Sequence, residues 1–366
     1  VGETGPVEGV PGADLDRRIL QQTGRYLVTG GAGFIGSNFV RFLRSRYPEA
    51  SVTVLDKLTY AGNPANLASF EGERGYRFVH GDIADERTVD PLIAEGFDFV
   101  LNFAAETHVD RSIGDPGNFV RTDVYGVYVL LEAVRKRPIT CFVQISTDEV
   151  YGEVFGDPVG EAAPLMPRNP YAASKAGGDR LAYSYHATYG LPVVVTRCSN
   201  NYGPYQYPEK LIPLFVTNAL EKKPLPVYGT GRNVRDWIHV EDHILALDSI
   251  LATPGCEGEV FNIGAYNERD VLTIASSILS HLGGPMDLVK HVVDRPGHDR
   301  RYAVAWDKLR ERTGWRPLRG FEEGLAETVR WYRENEAWWR PLKTGEFLEY
   351  YKKNYVFLDR PPEQRR

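Results

Sequence analysis

Cysteine is scarce: the 366 residues contain three, Cys141, Cys198 and Cys256, and none forms a CxxC pair. That number is too small for a disulfide framework and fits a reducing compartment, where each thiol is expected to be a small buried apolar side chain. Long apolar runs are missing as well. No stretch approaches the roughly 18 residues that cross a bilayer, and the amino terminus has no basic region followed by an apolar one. Neither a membrane span nor a standard secretion signal is expected, and the reading places the chain in the cytoplasm. Positive charge is outnumbered, with 43 Lys and Arg against 49 Asp and Glu and a net charge of −6. Such a surface does not attract phosphate backbones or anionic membranes, so neither a nucleic-acid partner nor a membrane partner is expected. No repeat or low-complexity block is present. What remains is a chain with 42% hydrophobic residues, long enough for one large or two modest domains.

Residues 1–24 scatter Gly and Pro so that only 14–22 could sustain a helical turn or two; they read as a flexible arm. From residue 25 short β-branched or aromatic runs alternate with 3.6-period stretches. Strands are predicted over 25–29, 51–55, 76–80, 97–102, 141–146 and 192–197. Their continuous apolarity indicates burial on both faces, hence a parallel sheet flanked by helices. The stretch 118–136 carries Val120, Val124, Val127, Leu130, Leu131 and Val134 around much of its circumference, which calls for two packing partners. Beyond about residue 198 Gly, Pro and aromatics rise, as in a smaller domain with long loops. A helix is predicted over 321–341, where Trp331, Trp338 and Trp339 have packing spacing.

The first strand runs into Gly30-Gly31-Ala32-Gly33-Phe34-Ile35-Gly36 and then a helical pattern. Strand, glycines and helix in that order form a dinucleotide turn, because a pyrophosphate must approach bare backbone and the helix N-terminus. Asp56, twenty residues past Gly36, ends the second strand, where its carboxylate suits ribose hydroxyls and favours NAD over NADP. Lys57 beside it weakens that preference. Gly81-Asp82-Ile83 is placed to meet the adenine edge. Tyr171 and Lys175 stand four residues apart on one helix face. A tyrosine working as a base at neutral pH needs about three units of depression, expected from Lys175 and the positive nicotinamide ring. Between these features lies Thr147-Asp148-Glu149 at the carboxyl end of a strand. Two adjacent carboxylates there can be split into an acid and a base. His239 and His243 have helical metal-ligand spacing but no HExxH order and no third ligand, so structural hydrogen bonding is expected and no metal.

The stretches GGAGFIGSNF, DKLTYAGN, GDIAD, NFAAETHVDRSI, QISTDEVYG, NPYAASKAGGD, SNNYGPYQYPEKLIP, PVYGTGRNVRDWIHVEDH and DRPGHDRRYA, spread over 25–342, resemble the dTDP-glucose 4,6-dehydratase family of the extended short-chain dehydrogenase/reductase group. The resemblance implies an α/β, Rossmann-type doubly wound parallel sheet with a smaller C-terminal α/β substrate domain. The division is an NAD-binding domain over 25–197 and a mainly sugar-nucleotide-binding part with its tail over 198–366, with some crossing of the chain between them. It implies a tightly bound NAD regenerated each turnover, dTDP-glucose as substrate, and a homodimer joined through 118–136 and 171–189.

Residue by residue, the resemblance implies that Thr147 bonds the hexose 4-hydroxyl, Asp148 protonates the leaving 6-hydroxyl, Glu149 removes the C5 proton, and Tyr171 with Lys175 takes the 4-hydroxyl proton. The cofactor would lie on Gly30, Gly33, Phe34, Ile35, Gly36, Asp56, Lys57, Thr59, Asp82, Ile83, Ala104, Ala105, Thr122, Tyr171, Lys175 and Asn201. The sugar nucleotide would lie on Thr107, Asn200, Lys210, Leu211, Pro226, Tyr228, Arg235, Asn267, Arg295, His298 and Tyr302. Arg235 and Arg295 suit a pyrophosphate, since guanidinium forks match its oxygens. Two residues depart from the family pattern: Asp123 stands where Asn is common, and Val127 where Thr is usual. Other sugar-nucleotide enzymes of the group, a UDP-sugar 4,6-dehydratase or a 4-epimerase, are the alternatives, together with a non-catalytic NAD-binding regulatory protein. The Thr-Asp-Glu sequence and the complete set of acid and base residues argue against them.

Overall fold

The computed structural model describes residues 13–355. The chain enters through α1 (Ala13–Thr23), then alternates strand and helix: β1 (Arg25–Thr29), α2 (Phe34–Arg46), β2 (Ser51–Asp56), β3 (Tyr76–His80), α3 (Glu86–Ala94) and β4 (Phe99–Asn102). Next come α4 (Val109–Gly114), α5 (Pro116–Val120), a π-helical turn (Arg121–Gly126), α6 (Val127–Arg135), β5 (Cys141–Thr147), α7 (Pro170–Tyr189) and β6 (Val193–Cys198). The remainder comprises β7 (Asn200–Tyr202), α8 (Leu211–Leu220), β8 (Leu225–Tyr228), β9 (Val234–His239), α9 (Val240–Ala252), β10 (Val260–Ile263) and β11 (Glu268–Asp270). It ends with α10 (Val271–Leu282), β12 (Val289–Val292), α11 (Asp307–Thr313), α12 (Phe321–Glu334), α13 (Glu336–Trp339) and α14 (Glu346–Tyr355).

Seven strands pair in the order β10-β6-β5-β4-β1-β2-β3, all parallel. β4, β5 and β6 are buried along their whole length, which is why their apolar runs are continuous rather than alternating. One face packs on α2 and α9 through Phe39, Leu43, Ile244 and Leu247; the other packs on α3, α6 and α7 through Val89, Leu131 and Ala182. This is the doubly wound Rossmann arrangement expected from the sequence. Strand order reverses between β1 and β4, and the crevice at their carboxyl ends is where such sheets take ligands. Two small sheets, β11-β9-β7 and β12-β8, lie beside a third apolar cluster formed with α8, α10 and α12. Among the described residues no helix is long and apolar enough to cross a membrane.

Three segments differ from the sequence reading. The arm assigned to 1–24 includes α1, a helix docked on α9; residues 1–12 lie outside the described residues. Leu20 packs against the core cluster that includes α9, and polar ties add to this: Arg17 Nε donates to Leu251 O at 2.7 Å, Gln21 Nε2 to Asp248 O at 3.0 Å, and Tyr26 Oη to Gln21 O at 2.7 Å. The stretch 118–136 is helical as expected but passes through a π turn between α5 and α6. The helix over 321–341 stops at Asn335, whose side chain donates to Trp331 O at 2.8 Å. Trp339 is buried after that break, with Nε1 donating to Tyr332 O at 2.7 Å, and Trp338 Nε1 donates to Asn66 Oδ1 at 2.9 Å, so the tryptophans pack as expected.

One buried ion pair clamps α7 to the sheet. Arg197 on β6 donates from Nε and Nη2 to the two carboxylate oxygens of Asp179 on α7, at 2.7 and 3.0 Å, and from Nη1 to Tyr151 Oη at 2.8 Å. Arg197 is 1% exposed and Asp179 0%. Removing one partner strands the other charge away from water, so Asp179→Ala should lose about 3–5 kcal/mol of stability. Urea denaturation measures this; a loss below about 1 kcal/mol would show that the pair does not clamp the helix.

Candidate active site

The turn after β1 is built from bare backbone. Gly30 has φ +66°, and a Cβ there would sit 2.5 Å from Ala104 N; a Cβ on Gly36 would sit 2.4 Å from Gly30 O. Glycine is therefore the residue that lets β1, α2 and the segment after β4 meet. No side chain caps α2 at Gly33, so its first N–H groups remain for an anion. Asp56 closes β2 and organises this turn: Oδ2 accepts from Ala32 N at 2.9 Å and Oδ1 from Leu58 N at 2.8 Å. Burial pushes its carboxyl up against those two donors. Lys57 turns away to Asp82 Oδ2 at 2.9 Å. Burial alone would raise the Asp82 carboxyl, but Lys57 and the Ala84 N–H bring it below its ordinary value. A cavity of ≈ 280 Å³ runs along these elements, and every residue expected to hold the cofactor lines it, from Gly30 and Asp56 through Thr122 to Asn201. The glycine cradle and the carboxylate at the end of β2 fit a dinucleotide.

The same cavity receives the end of β5. Thr147 Oγ1 accepts from Glu149 N at 3.3 Å, tightening a 3₁₀ turn over Asp148–Tyr151. Asp148 is 2% exposed, and its Oδ2 has no hydrogen-bond partner. Burial, then the charge of Glu149, holds its carboxyl well above the usual range in spite of Arg235. Glu149 is half-buried; Oε2 lies 3.4 Å from both Asn169 Nδ2 and Tyr302 Oη. Asn169 also caps α7, accepting from Ala172 N at 2.8 Å, with Pro170 at the first helical position. That start places Tyr171 in the first turn and Lys175 one turn on. Lys175 Nζ donates to Ile145 O at 2.7 Å, which pins α7 to β5. Tyr171 is driven well above the ordinary phenol value by burial, Glu149 and Asp123, against a hydrogen bond with Thr147. Burial and nearby negative charge in the protein alone thus push the phenol up, opposite in direction to the depression a base needs.

A second cavity of ≈ 170 Å³ meets the first at Thr107, Glu149, Asn200, Glu209 and Lys210. Leu211, Pro226, Tyr228, Arg235, Arg295 and His298 line it as expected for substrate residues. Asn267 and Tyr302 stand outside both cavity walls. Asn267 accepts from Trp237 N at 3.2 Å at the edge of β9, and the Tyr302 ring lies 4.2 Å beneath the Arg235 guanidinium carbon. Arg235 spends two donors on Val234 O and Asp299 O, at 2.8 and 3.0 Å. Arg295 Nη1 donates to Asp110 Oδ1 at 3.0 Å, while its Nε is buried without a partner. Unpaired buried polar atoms are costly in a finished core; Asp148 Oδ2, Asn200 Oδ1 and Arg295 Nε are such atoms at the walls of two joined cavities. That arrangement suits a polar ligand spanning both.

Comparison with known proteins decides the family. The family model described as GDP-mannose 4,6 dehydratase matches residues 27–328. A dTDP-glucose 4,6-dehydratase of Streptomyces niveus is 55% identical over 324 residues, covering 87% of this chain and 96% of that protein. The chain belongs to the dTDP-glucose 4,6-dehydratase family. A second member, from Streptomyces antibioticus, is 52% identical over 322 residues, 87% of this chain and 95% of the relative. The crystal structure of the dTDP-glucose 4,6-dehydratase DesIV of Streptomyces venezuelae, with NAD and TYD bound, superposes with a TM-score of 0.85 at 50% identity, covering 87% of this chain and all of that one.

Within this dehydratase fold several wall residues escaped the sequence reading. Asp110 is the most connected: besides Arg295, its Oδ2 accepts from Tyr228 Oη at 2.9 Å and Tyr350 Oη at 2.6 Å. Burial alone would raise its carboxyl, but Arg295 and the Tyr350 hydroxyl bring it down to about 2. Its partners lie 118, 185 and 240 residues away, so no local spacing announces it. Glu209, buried beside Lys210, and Tyr355 on α14 also line the walls. Asn169 did carry a signal, an Asn-Pro pair ahead of a helical pattern. The two histidines of the metal-like spacing serve structure: His239 caps α9 and His243 Nδ1 lies 2.9 Å from Asn201 Oδ1.

Close helix seating gives a direct test. A Cβ on Gly178 would lie 2.2 Å from Asp123 O in the π turn, so Gly178→Ala must force α7 away from that turn. Overpacking of this kind should cost about 1–3 kcal/mol and lower turnover together with thermal stability. An unchanged melting temperature with full activity would show that α7 tolerates displacement.

Proposed function

We propose that the chain dehydrates dTDP-glucose to dTDP-4-keto-6-deoxyglucose as an NAD-dependent hydro-lyase in deoxysugar biosynthesis. The observation that carries this reading is the adjacent Asp148 and Glu149 beside the junction of the two cavities, one carboxyl buried with an unpaired oxygen and biased toward its protonated form, the other half-buried and lining both cavities. An epimerase needs no such pair, since it expels no water.

Bound NAD supplies a hydride acceptor for hexose C4, a hydride donor for C6, and a positive ring that favours the Tyr171 phenolate. Residues of the glycine turn, Asp56, Asp82 and Thr122 hold it. Tyr171 takes the proton of the 4-hydroxyl, oriented by Thr147. A ketone at C4 acidifies the C5 hydrogen; Glu149 removes that proton and, once water has left and C6 is reduced, returns a proton to C5. Asp148, whose burial beside Glu149 favours the protonated form, donates to the departing 6-hydroxyl. Lys175 holds α7 on β5 and keeps a positive charge behind the phenol. Arg295, with Nε unpaired and Nη1 steadied by Asp110, meets the diphosphate, and Lys210 closes the junction by donating to Thr107 O.

The active form is a homodimer joined through α6 and α7. Tyr125 and Tyr128 on one helix edge and Tyr189 at the end of α7 are 41%, 40% and 54% exposed, a cluster of aromatics suited to a helix-pair interface. The reaction takes place in the cytoplasm, a reading supported by three unpaired buried cysteines.

Purified protein should release NAD(H) on acid treatment and yield twice the 41.2 kDa chain mass by light scattering. Recovery of NADP(H) alone, or a monomer at micromolar concentration, would contradict these assignments. With substrate deuterated at C4, mass spectrometry should find the label at C6 of the product. Tyr171→Phe should abolish all steps. Asp148→Asn should still exchange label with the cofactor while dehydration falls by about 10²–10⁴. Dehydration at the original rate in both Asp148→Asn and Glu149→Gln would refute the elimination scheme.

A further inference from the structure

Asp123 is a buried carboxylate that the scheme above does not use. The π turn carries it, 1% exposed, while Thr122 beside it lines the first cavity. Its two oxygens join two walls of the site. Oδ1 accepts from Glu106 N at 3.0 Å, in the segment after β4 that also supplies Ala104, Ala105 and Thr107; Oδ2 accepts from Ser174 Oγ at 2.7 Å, on α7 between Tyr171 and Lys175. Asparagine, common at this position in the family pattern, would offer an acceptor and two donors without charge.

The difference is sharpened by Ser174, whose hydroxyl has one proton and two acceptors in reach. Tyr171 O lies 2.8 Å from Ser174 Oγ, against 2.7 Å for Asp123 Oδ2. With Asp123 ionised, the hydroxyl proton goes to the carboxylate. With Asp123 protonated, the carboxyl donates to Ser174 Oγ, and the serine proton turns to the Tyr171 carbonyl, the arrangement an asparagine amide would impose at every pH. Burial pushes the Asp123 carboxyl up to about 6 in spite of Lys175, so both arrangements fall in the working range.

We propose that Asp123 is a positioning residue for the Tyr171–Lys175 pair: it ties α7 to the cavity wall and, when ionised, places a negative charge behind the phenol that confines base action by Tyr171 to more alkaline solution. The proposal rests on Tyr171 being the base. The charged and titratable groups facing this region are Tyr171 and Lys175 on α7, Glu106 after β4, Glu149 after β5 and Cys198 on β6; Thr147 contributes a hydroxyl. Of the negative groups acting on Tyr171, Glu149 is required for C5 chemistry, whereas Asp123 can be neutralised without touching an atom of substrate.

The test compares wild type, Asp123→Asn and Asp123→Ala by pH profiles of kcat and KM with dTDP-glucose, alongside thermal melting and bound-cofactor content. Removing a like charge favours the phenolate, so the acidic limb of kcat for Asp123→Asn should move down by roughly one pH unit, raising turnover on that limb about tenfold with KM unchanged. Asp123→Ala should share the displaced limb but lose plateau rate, because the tie is gone; recovery of the plateau by Asn separates tie from charge. A limb that stays in place in folded, cofactor-loaded Asp123→Asn overturns the proposal, as does an equal plateau for Ala and Asn. Should the alanine variant fail to fold, the Asn limb alone decides. Tyr171→Phe distinguishes the levels: if it is inactive while the Asn limb is unmoved, only the role of Asp123 fails, whereas substantial turnover by Tyr171→Phe removes the base assignment beneath it.

Discussion

The seating of α7 is the constraint on which the site depends. A single helix must present Tyr171 and Lys175 to the mouth of the sheet while lying against β5, β6 and the π turn at once. Its start is set by the Asn169 cap, its first turns by Lys175 reaching Ile145 O, and its middle by the Arg197–Asp179 clamp. Gly177 and Gly178 remove the side chains that would hold it off; a Cβ on Gly177 would approach Val124 Cγ2 to 3.0 Å. A tyrosine placed by three independent ties has little freedom to drift, and positional tolerance of about an ångström is what proton-transfer chemistry permits.

Environment rather than residue type then sorts the carboxylates. Asp148 and Glu149 are neighbours in sequence, yet one is enclosed with an unpaired oxygen and the other reaches two weak donors at the junction of the cavities. Asp110 is also buried but faces a guanidinium and two hydroxyls, and its carboxyl sits low. Burial raises the free energy of every charge; paired donors decide whether the charge survives it. The same rule explains why Tyr171 rests protonated in the protein alone: enclosure and two negative neighbours dominate, so the phenol keeps its proton in the absence of a stronger positive partner.

Features written in local sequence were legible. Parallel strands buried on both faces leave continuous apolar runs, the glycine turn has a fixed order, and the Tyr171–Lys175 spacing is one helical turn. The π turn at 121–126 was not legible, because it inserts a residue without altering apolarity; Val120 and Val124 read as part of one smooth stripe. The docking of α1 was hidden because the surface that receives it is distant in the chain: Arg17 and Gln21 reach backbone carbonyls more than two hundred residues away. Asp110 gathers its partners from three distant elements, and only the closed fold brings them together. Family likeness supplied substrate residues that no spacing could, and those at the cavity wall share a long-range origin with Asp110.

The two joined cavities explain why these distant ties matter to the chemistry. Thr107, Glu149, Asn200, Glu209 and Lys210 belong to both walls, so a group bound in one cavity ends beside a group bound in the other. The segment after β4 supplies Ala104 and Ala105 to the first cavity, Thr107 to both and Asp110 to the second, within seven residues. Asp123 fixes the start of that segment through Glu106 N, and Asp110 fixes its end through Arg295, Tyr228 and Tyr350. Two cavities walled by separate sheets are therefore held in register by one short segment anchored by two buried carboxylates.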